Sequence, residues 1–452
     1  MNSVDASSPS SQALQQAVEA DLQTYARFGI DLGLDRIESV LADMGNPHHS
    51  VPIIHVAGTN GKGSVCAYLS AVLAAAGYRV GRYTSPHLVN WTERICINDV
   101  PISWSALHAS LTKVKRAMLT GGHTPTQFEV FTAAAWQYFA DQQVEVAVIE
   151  VGLGGRLDAT NVCEKPLATV IVSISRDHWQ RLGDTIAEIA GEKAGILKPG
   201  VPAIAGPLPP AAEAVVTARA QALQAPLIWV EPATALIHPS GHPIAGQVSG
   251  DRWLAYKGIE YPQSLLGEHQ QVNSACAIAT LQSLQAQGWQ ISPDAIVQGM
   301  AQVRWPGRLQ REHWQGHELL IDGAHNEAAA RSLRDYVDRT FSDQPIIWLM
   351  GMLATKDHPQ VFRALLRAGD YLHLVPVPGH LSADLSDLKA IAQRVCPSLA
   401  AVTIHHDLEV GLMAAAIATP ADFPSGGSPI VLCGSLYLIG SFYERYPQSS
   451  QA

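Results

Sequence analysis

The chain has no Cys-x-x-Cys spacing: its six cysteines, Cys66, Cys96, Cys163, Cys276, Cys396 and Cys433, stand far apart. That disfavours both a zinc knuckle and a disulfide framework and fits a reducing, cytoplasmic setting. Basic residues are short, with 30 Lys and Arg against 40 Asp and Glu and a formal net charge of -10. No cationic surplus is left to neutralise a nucleic-acid backbone, so an anionic ligand has to be met by local devices. Nor does any stretch reach the roughly 20 apolar residues that span a bilayer. The richest, AYLSAVLAAAGY, reads as a buried helix. The start, MNSVDASSPSSQALQQ, lacks a basic opening and an apolar core, which excludes a secretory signal and leaves a flexible tail over residues 1–20. Internal repeats and low-complexity segments are missing too.

What is present is an α/β pattern. A chain of 452 residues exceeds one ordinary hydrophobic core, so more than one domain is expected. VPIIHVAG (51–58) is a β-branched strand followed by a glycine turn and the helix SVCAYLSAVLAAAG. VEVAVIEVG (144–152) and LATVIVSIS (167–175) are near-continuous apolar strands of the kind buried on both faces of a parallel sheet. Between them GLGGRLDATN leaves a strand's C-terminal end, where open α/β sheets place ligands. Trp-Pro-Gly in VRWPGRLQ (303–310) interrupts regular structure, and strands and helices then alternate from HELLIDGAHN to SPIVLCGS. The expected organisation is a P-loop ATPase domain with a mainly parallel sheet (21–303), a hinge (304–308) and a smaller Rossmann-like C-terminal α/β domain (309–452). The Pro-, Ala- and Gly-rich region 206–262 is the least readable.

The glycine turn, HVAGTNGKGS (55–64), carries the Gly-Lys pair of a phosphate-binding loop in the strand–loop–helix setting that such a loop requires. Backbone N–H groups from Thr59 to Ser64 can converge on phosphate oxygens, helped by the helix dipole and the Lys62 charge. Yet Gly63 stands where a Ser or Thr normally supplies a magnesium-binding hydroxyl. If nucleotide binds, the metal needs other donors. Glu150 closes one apolar strand and His178 follows its predicted neighbour, so both point to the same rim. Either could be a solvated strand end, although a Glu within an apolar run carries a desolvation cost that asks for a reason.

The motifs FGIDLGLDRI, HVAGTNGKGSV, YTSPHL, ERICIND, IEVGLGGRLDATN, DHWQRLG, EKAGI, GEHQQVNSACA, PGRLQ, LLIDGAHN and CGSLY run in order from about residue 25 to 440. Together they resemble the dihydrofolate synthase/folylpolyglutamate synthase family, which is related to the Mur ligases. Mur enzymes usually carry Thr or Ser after the lysine, so Gly63 favours the folate branch. The resemblance implies a cytoplasmic ligase in which ATP phosphorylates a carboxylate and the amino group of L-glutamate then attacks the acyl phosphate.

Carried over residue by residue, Thr59, Asn60, Gly61, Lys62, Gly63 and Ser64 would bind the ATP phosphates, and Ser85, Glu150 and His178 would hold Mg²⁺. Lys193 matches a lysine that is carbamylated in the family, with an ordinary helix lysine as the bland alternative. Asn273, Arg308 and Asp322 match nucleotide contacts, although Arg308 on its Pro-Gly turn could be a surface charge. Asp31, Leu32 and Gly33, Thr126, Phe128 and Glu129, and Leu157, Asp158 and Ala159 match segments that line the pterin pocket. Phe128 could stack on a pterin or belong to the core. His325 and Ser435 match the glutamate or second-domain side of the cleft. The family pattern usually continues with Pro after Asp-Gly-Ala-His-Asn, whereas this chain has Glu327, so a different local turn is expected there.

SPHL and TQFE lean toward an enzyme that accepts dihydropteroate as well as reduced folates, the alternative being one that only extends polyglutamate tails. A Mur-type amino-acid ligase would usually carry an additional UDP-binding domain ahead of the loop, for which there is no room. A nucleotide-dependent switch would need neither Glu150 and His178 nor Arg308 and Asp322. No long amphipathic dimerisation helix is evident, which suggests a monomer whose partners are small molecules. Potassium activation and the preferred folate form are not written in the sequence.

Overall fold

The computed structural model describes residues 10–26, 29, 31–237, 252–342, 344–417 and 429–447. Of the tail expected over residues 1–20, the first nine lie outside the described residues. The rest differs from expectation, because Ser11–Ala26 is a helix that buries Val18 and Leu22 against the helix Trp104–Gly121. Two apolar residues four apart lie on one helical face, and burying each is worth about 1.5–3 kcal/mol before entropy is counted, enough to dock an otherwise polar helix.

Ile53–Ala57 lies within an eight-stranded sheet. Its order is Val100–Pro101, Ile95–Ile97, Val80–Tyr83, Val146–Glu150, Ile53–Ala57, Ala168–Ile171, Ala203–Ala205, Leu227–Trp229. From Val80–Tyr83 onward the neighbours are parallel, while the two short strands at one edge pair antiparallel. All five residues of Ile53–Ala57 and of Val146–Glu150 are buried, as apolar runs covered on both faces require. The buried His55 is satisfied by Thr160 Oγ1 at 2.8 Å. The pairings of Val56 with Glu150 and of Ala57 with Ile171 align three strand ends on one rim. The chain goes to one side of Ile53–Ala57 for the next four strands and to the other for the last three, so the loop after it opens at the switch point of the sheet.

The helix Lys62–Ala75 is buried from Ser64 to Leu73, held between the sheet and the helices His269–Ala286 and Pro293–Gln302. Thr234–Ile237, Arg252–Tyr256 and Ile259–Pro262 form a small antiparallel sheet; residues 238–251, within the region hardest to read, lie outside the described residues.

Residues 303–309 carry no helix or strand. After them comes a six-stranded sheet in the order Gln310–Trp314, His317–Ile321, Ile430–Cys433, Ile347–Met350, Tyr371–Leu374, Ala401–Ile404, parallel except at its first pairing. Helices cover it, and its two faces bury separate clusters around Trp348 and Leu349. This is the second, Rossmann-like α/β unit, and the C-terminal ends of His317–Ile321 and Ile430–Cys433 face the phosphate loop.

Candidate active site

Gly61 makes the loop possible. Its φ of +86° is left-handed, and a Cβ there would strike Asn273 Oδ1, so it caps the helix Lys62–Ala75 where a side chain would be strained and obstructed. The loop is tied to the segment that follows the adjacent strand Ala168–Ile171. Thr59 N donates to Ser173 O (2.8 Å), Ser175 N donates to Thr59 Oγ1 (3.0 Å), and Asn60 N donates to Ser173 Oγ (3.0 Å). Ser64 Oγ accepts from Gln270 Nε2 at 3.3 Å, and Gln270 Oε1 accepts from Asn273 Nδ2 at 3.0 Å.

Gly63 has a spatial reason. A Cβ on it would lie 2.6 Å from the ring of Trp305, well inside the 3.5–4.0 Å of a comfortable carbon contact. The indole of the interdomain segment occupies the place of the usual hydroxyl.

The loop opens into a cavity of about 390 Å³ lined by every residue from Gly58 to Ser64 and by Ser85, Glu150, His178, Lys193, Asn273, Arg308, Asp322 and His325. Residues from both domains thus meet around one space. Glu150 is buried; its Oε2 accepts from Ser85 N at 3.2 Å and its Oε1 lies 3.8 Å from Lys62 Nζ. Burial pushes the Glu150 carboxyl up, and the Lys62 charge works against that. His178 sits at a positive φ of 51° ahead of the short helix Trp179–Leu182; burial lowers its imidazole to about 4, against the pull of Asp177.

Among the described residues no group of three or more His, Cys, Asp or Glu is assembled to hold a metal ion. One buried, incompletely compensated carboxylate with a serine and an imidazole on the same walls fits magnesium, which takes few protein ligands and completes its shell with water and phosphate oxygens.

Lys193, on the helix Ile186–Ala194, is buried and donates from Nζ to Gly58 O at 2.9 Å. Burial, with the nearby Lys62 charge adding to it, brings its amine down to about 7. Asp322 joins the interdomain segment to the second sheet: Oδ2 accepts from Leu309 N and Oδ1 from Ala324 N, both at 2.9 Å. Arg308 donates to Gly307 O at 3.1 Å and packs over Gly323.

A second cavity, of about 430 Å³, shares Ser85, Gly152, His178 and His325 with the first. Its walls include Asp31, Leu32, Gly33, Thr126, Phe128, Glu129, Leu157, Asp158, Ala159 and Ser435. Three segments remote in sequence are thereby brought together, and Gly33 N donates to Leu157 O at 3.3 Å. Several of these side chains already hold the protein together. Thr126 and Glu129 form the capping box of the helix Gln127–Asp141, and the Glu129 carboxylate also accepts from Arg36 Nε at 3.1 Å. Asp158 is buried and accepts from Leu153 N and Thr160 N. Phe128 packs on Gly152 and turns part of its ring to the cavity. Ser435 caps the helix Leu436–Arg445 and, unlike His325, lines only this second cavity. At the altered motif, Asn326 caps the helix Glu327–Thr340 with its side chain and Glu327 pairs with Arg331.

Sequence reasoning missed the fastening between the domains. Asp177 Oδ1 meets Lys356 Nζ at 2.9 Å, and its Oδ2 accepts from Asn326 Nδ2 at 3.0 Å and lies 3.4 Å from His325 Nε2. Asn60 and Asn326 exchange amide hydrogen bonds of 3.1 and 3.0 Å. Burial opposes the Asp177 charge, yet His325 and Lys356 hold the carboxyl far below its usual range. Gln270, Trp305 and Ser173 were missed as well, since each acts through a contact across long sequence separation that no local pattern marks.

A phosphate loop at the switch point of one α/β domain, facing a second Rossmann-like domain over paired cavities, defines a nucleotide-dependent ligase of the Mur type. Residues 56–205 match the Mur ligase middle domain and residues 308–445 the dihydrofolate synthetase C-terminal domain. The chain is 36% identical over 380 residues to the dihydrofolate synthase/folylpolyglutamate synthase of Bacillus subtilis, an alignment covering 81% of this chain and 87% of that one. Its structure resembles Mycobacterium tuberculosis folylpolyglutamate synthase complexed with ADP and AMPPCP, with a TM-score of 0.85 and 30% identity, covering 98% of this chain and 100% of that one. It also resembles Escherichia coli FolC in complex with DHPP and ADP, with a TM-score of 0.79 and 28% identity over 97% and 99% of the two chains. The chain belongs to the dihydrofolate synthase/folylpolyglutamate synthase family.

Proposed function

We propose that this protein is an ATP-dependent ligase that adds L-glutamate to dihydropteroate and to reduced folates. The observation that carries this reading is the meeting of two cavities at shared walls: one lined by the phosphate loop, the other by the three segments whose counterparts line a pterin pocket. A carboxylate at the end of a flat, aromatic substrate in the second cavity would face the terminal phosphate of ATP in the first.

In this reading Thr59 to Ser64, Asn273, Arg308 and Asp322 bind ATP, and Lys62 offsets charge on the transferred phosphoryl group. Ser85, Glu150 and His178 would hold magnesium, which when bound supplies further neutralisation of phosphate oxygens. A carboxylate oxygen of the acceptor bonds to the γ-phosphorus as the bond to ADP breaks. The glutamate amine then attacks the acyl carbon, and the tetrahedral intermediate collapses with loss of phosphate and of the amine proton to leave an amide. His325 and Ser435 face the glutamate side. Proximity and preorganised charge supply most of the acceleration.

Lys193 fits carbamylation, because carbon dioxide reacts with a neutral amine and burial makes that form available near neutral pH. The product carries a negative charge beside the Lys62 ammonium. Both cavities are walled by one chain, so a monomer suffices. All six cysteines are free and five are buried, in keeping with a reducing cytoplasm.

The test is phosphate release from ATP with magnesium and glutamate, comparing dihydropteroate, tetrahydrofolate and no pteridine, with Lys62→Ala as control. Release with both pteridines, lost in the variant, is expected. Release with tetrahydrofolate alone would reduce the activity to tail extension, and no pteridine-dependent release would overturn the reading.

A further inference from the structure

Arg94 lines the second cavity at 9% exposure, and among the described residues neither of its Nη atoms has a hydrogen-bond partner. A buried guanidinium without a carboxylate is costly and asks for a reason. Its Nε donates to His87 Nδ1 at 2.8 Å, which fixes that imidazole as a neutral acceptor. Its face lies 4.4 Å from the centroid of Trp91 and 5.7 Å from that of Phe131, so aromatic rings strip water from one side. The forked end is left to the cavity.

The acids around it are already engaged. Glu93, its chain neighbour, accepts from the backbone N–H groups of Leu88, Val89 and Asn90 at 2.8, 2.9 and 2.8 Å. Glu129 is taken by Arg36 and Thr126, and Glu150 faces Lys62 and Ser85 N. The other permanent cation on this wall, Lys356, is paired with Asp177.

Resting on the proposed function, we infer that Arg94 is the anchor for a carboxylate of the pteridine substrate, gripping it through the two free Nη groups. Planar, bidentate pairing is what a guanidinium fork offers a carboxylate, and in a water-poor site such a pair is strong. A phosphate is a poorer fit to this place, since ATP has its own cradle in the adjoining cavity and the walls here carry Phe128, Leu32 and Leu157. The carboxylate has two sources: the reacting group, present in dihydropteroate and folates alike, or the carboxylate beside it, present in folates only.

The experiment measures equilibrium binding of dihydropteroate, of tetrahydrofolate and of 6-hydroxymethyl-dihydropterin, which has the ring and no carboxylate, to wild type, Arg94→Gln and Arg94→Lys. Removing one partner of a buried charged pair costs enough to weaken binding roughly 30-fold or more. Arg94→Gln is expected to lose that much for the carboxylate ligands while holding the carboxylate-free pterin as wild type does. Arg94→Lys, which keeps the charge and the fold but not the fork, falls between. Loss for both acids assigns the reacting carboxylate, and loss for tetrahydrofolate alone the neighbouring one. Unchanged binding in Arg94→Gln, or equal loss of all three ligands, overturns the assignment while leaving the functional reading in place. A wild type that binds no pteridine overturns both.

Discussion

Replacing Asp177 by Asn removes one charge from the junction of the two domains and little volume. Lys356 and Asp177 side chains are each only 11% exposed, so the ammonium would be left in a water-poor position without its counter-ion. Breaking a buried pair in this way costs about 3–5 kcal/mol, and the lower end is expected for a pair set between two domains, whose parting would let Lys356 hydrate. In a protein whose domains open and close, the penalty would show as a shift of that equilibrium, and about 3 kcal/mol is roughly a hundredfold. Glutamate-dependent phosphate release should fall by that order in kcat/KM, and an interdomain distance label should report a larger open fraction. Adding Lys356→Met removes the orphaned charge as well. The double variant should regain closure relative to Asp177→Asn, a coupling that independent sites would not show. Closure and turnover both unchanged in Asp177→Asn would refute the clasp.

Three further outcomes are expected at the phosphate loop and its surroundings. Depleting carbon dioxide should lower turnover and bicarbonate should restore it, with restoration fading below about pH 7 as the Lys193 amine protonates; Lys193→Arg should respond to neither. A lysine whose folded pKa is depressed from 10.5 to about 7 costs stability as pH falls through that window, so the uncarbamylated protein should melt at higher temperature toward the alkaline end. Gly61→Ala should destabilise by about 1–2 kcal/mol for the left-handed backbone alone and abolish nucleotide binding by calorimetry, because the new methyl meets Asn273.

The parts of the fold that could be read were those in which chemistry is local. An apolar run, a glycine turn and an alanine-rich helix announced the nucleotide loop, and Glu150 betrayed itself by the cost of a carboxylate in an apolar strand. Lines of the second cavity were reached only through resemblance, because Gly33, Phe128 and Leu157 carry no chemistry of their own until the chain folds them together. Resemblance makes Thr126 and Glu129 substrate contacts, yet Thr-x-x-Glu before an apolar helix is also the signature of the capping box they form. The opening helix is hard to tell from a tail in the sequence because its serines and glutamines mask one buried stripe. Asp177 and Lys356 stayed invisible for a different reason: either residue alone is an ordinary surface charge, and only their pairing across two domains gives them meaning.

The indole of Trp305 resting on Gly63 has a mechanical consequence. Loop and interdomain segment touch with no slack between them, so a phosphate that nudged the loop by a fraction of an ångström would press on the ring, and the ring stands directly before the Pro306–Gly307 turn that leads to the second domain. Such a contact would gear nucleotide occupancy to domain angle through a single aromatic bearing. A change in the size of that bearing would retune how firmly ATP is held while touching no atom of it.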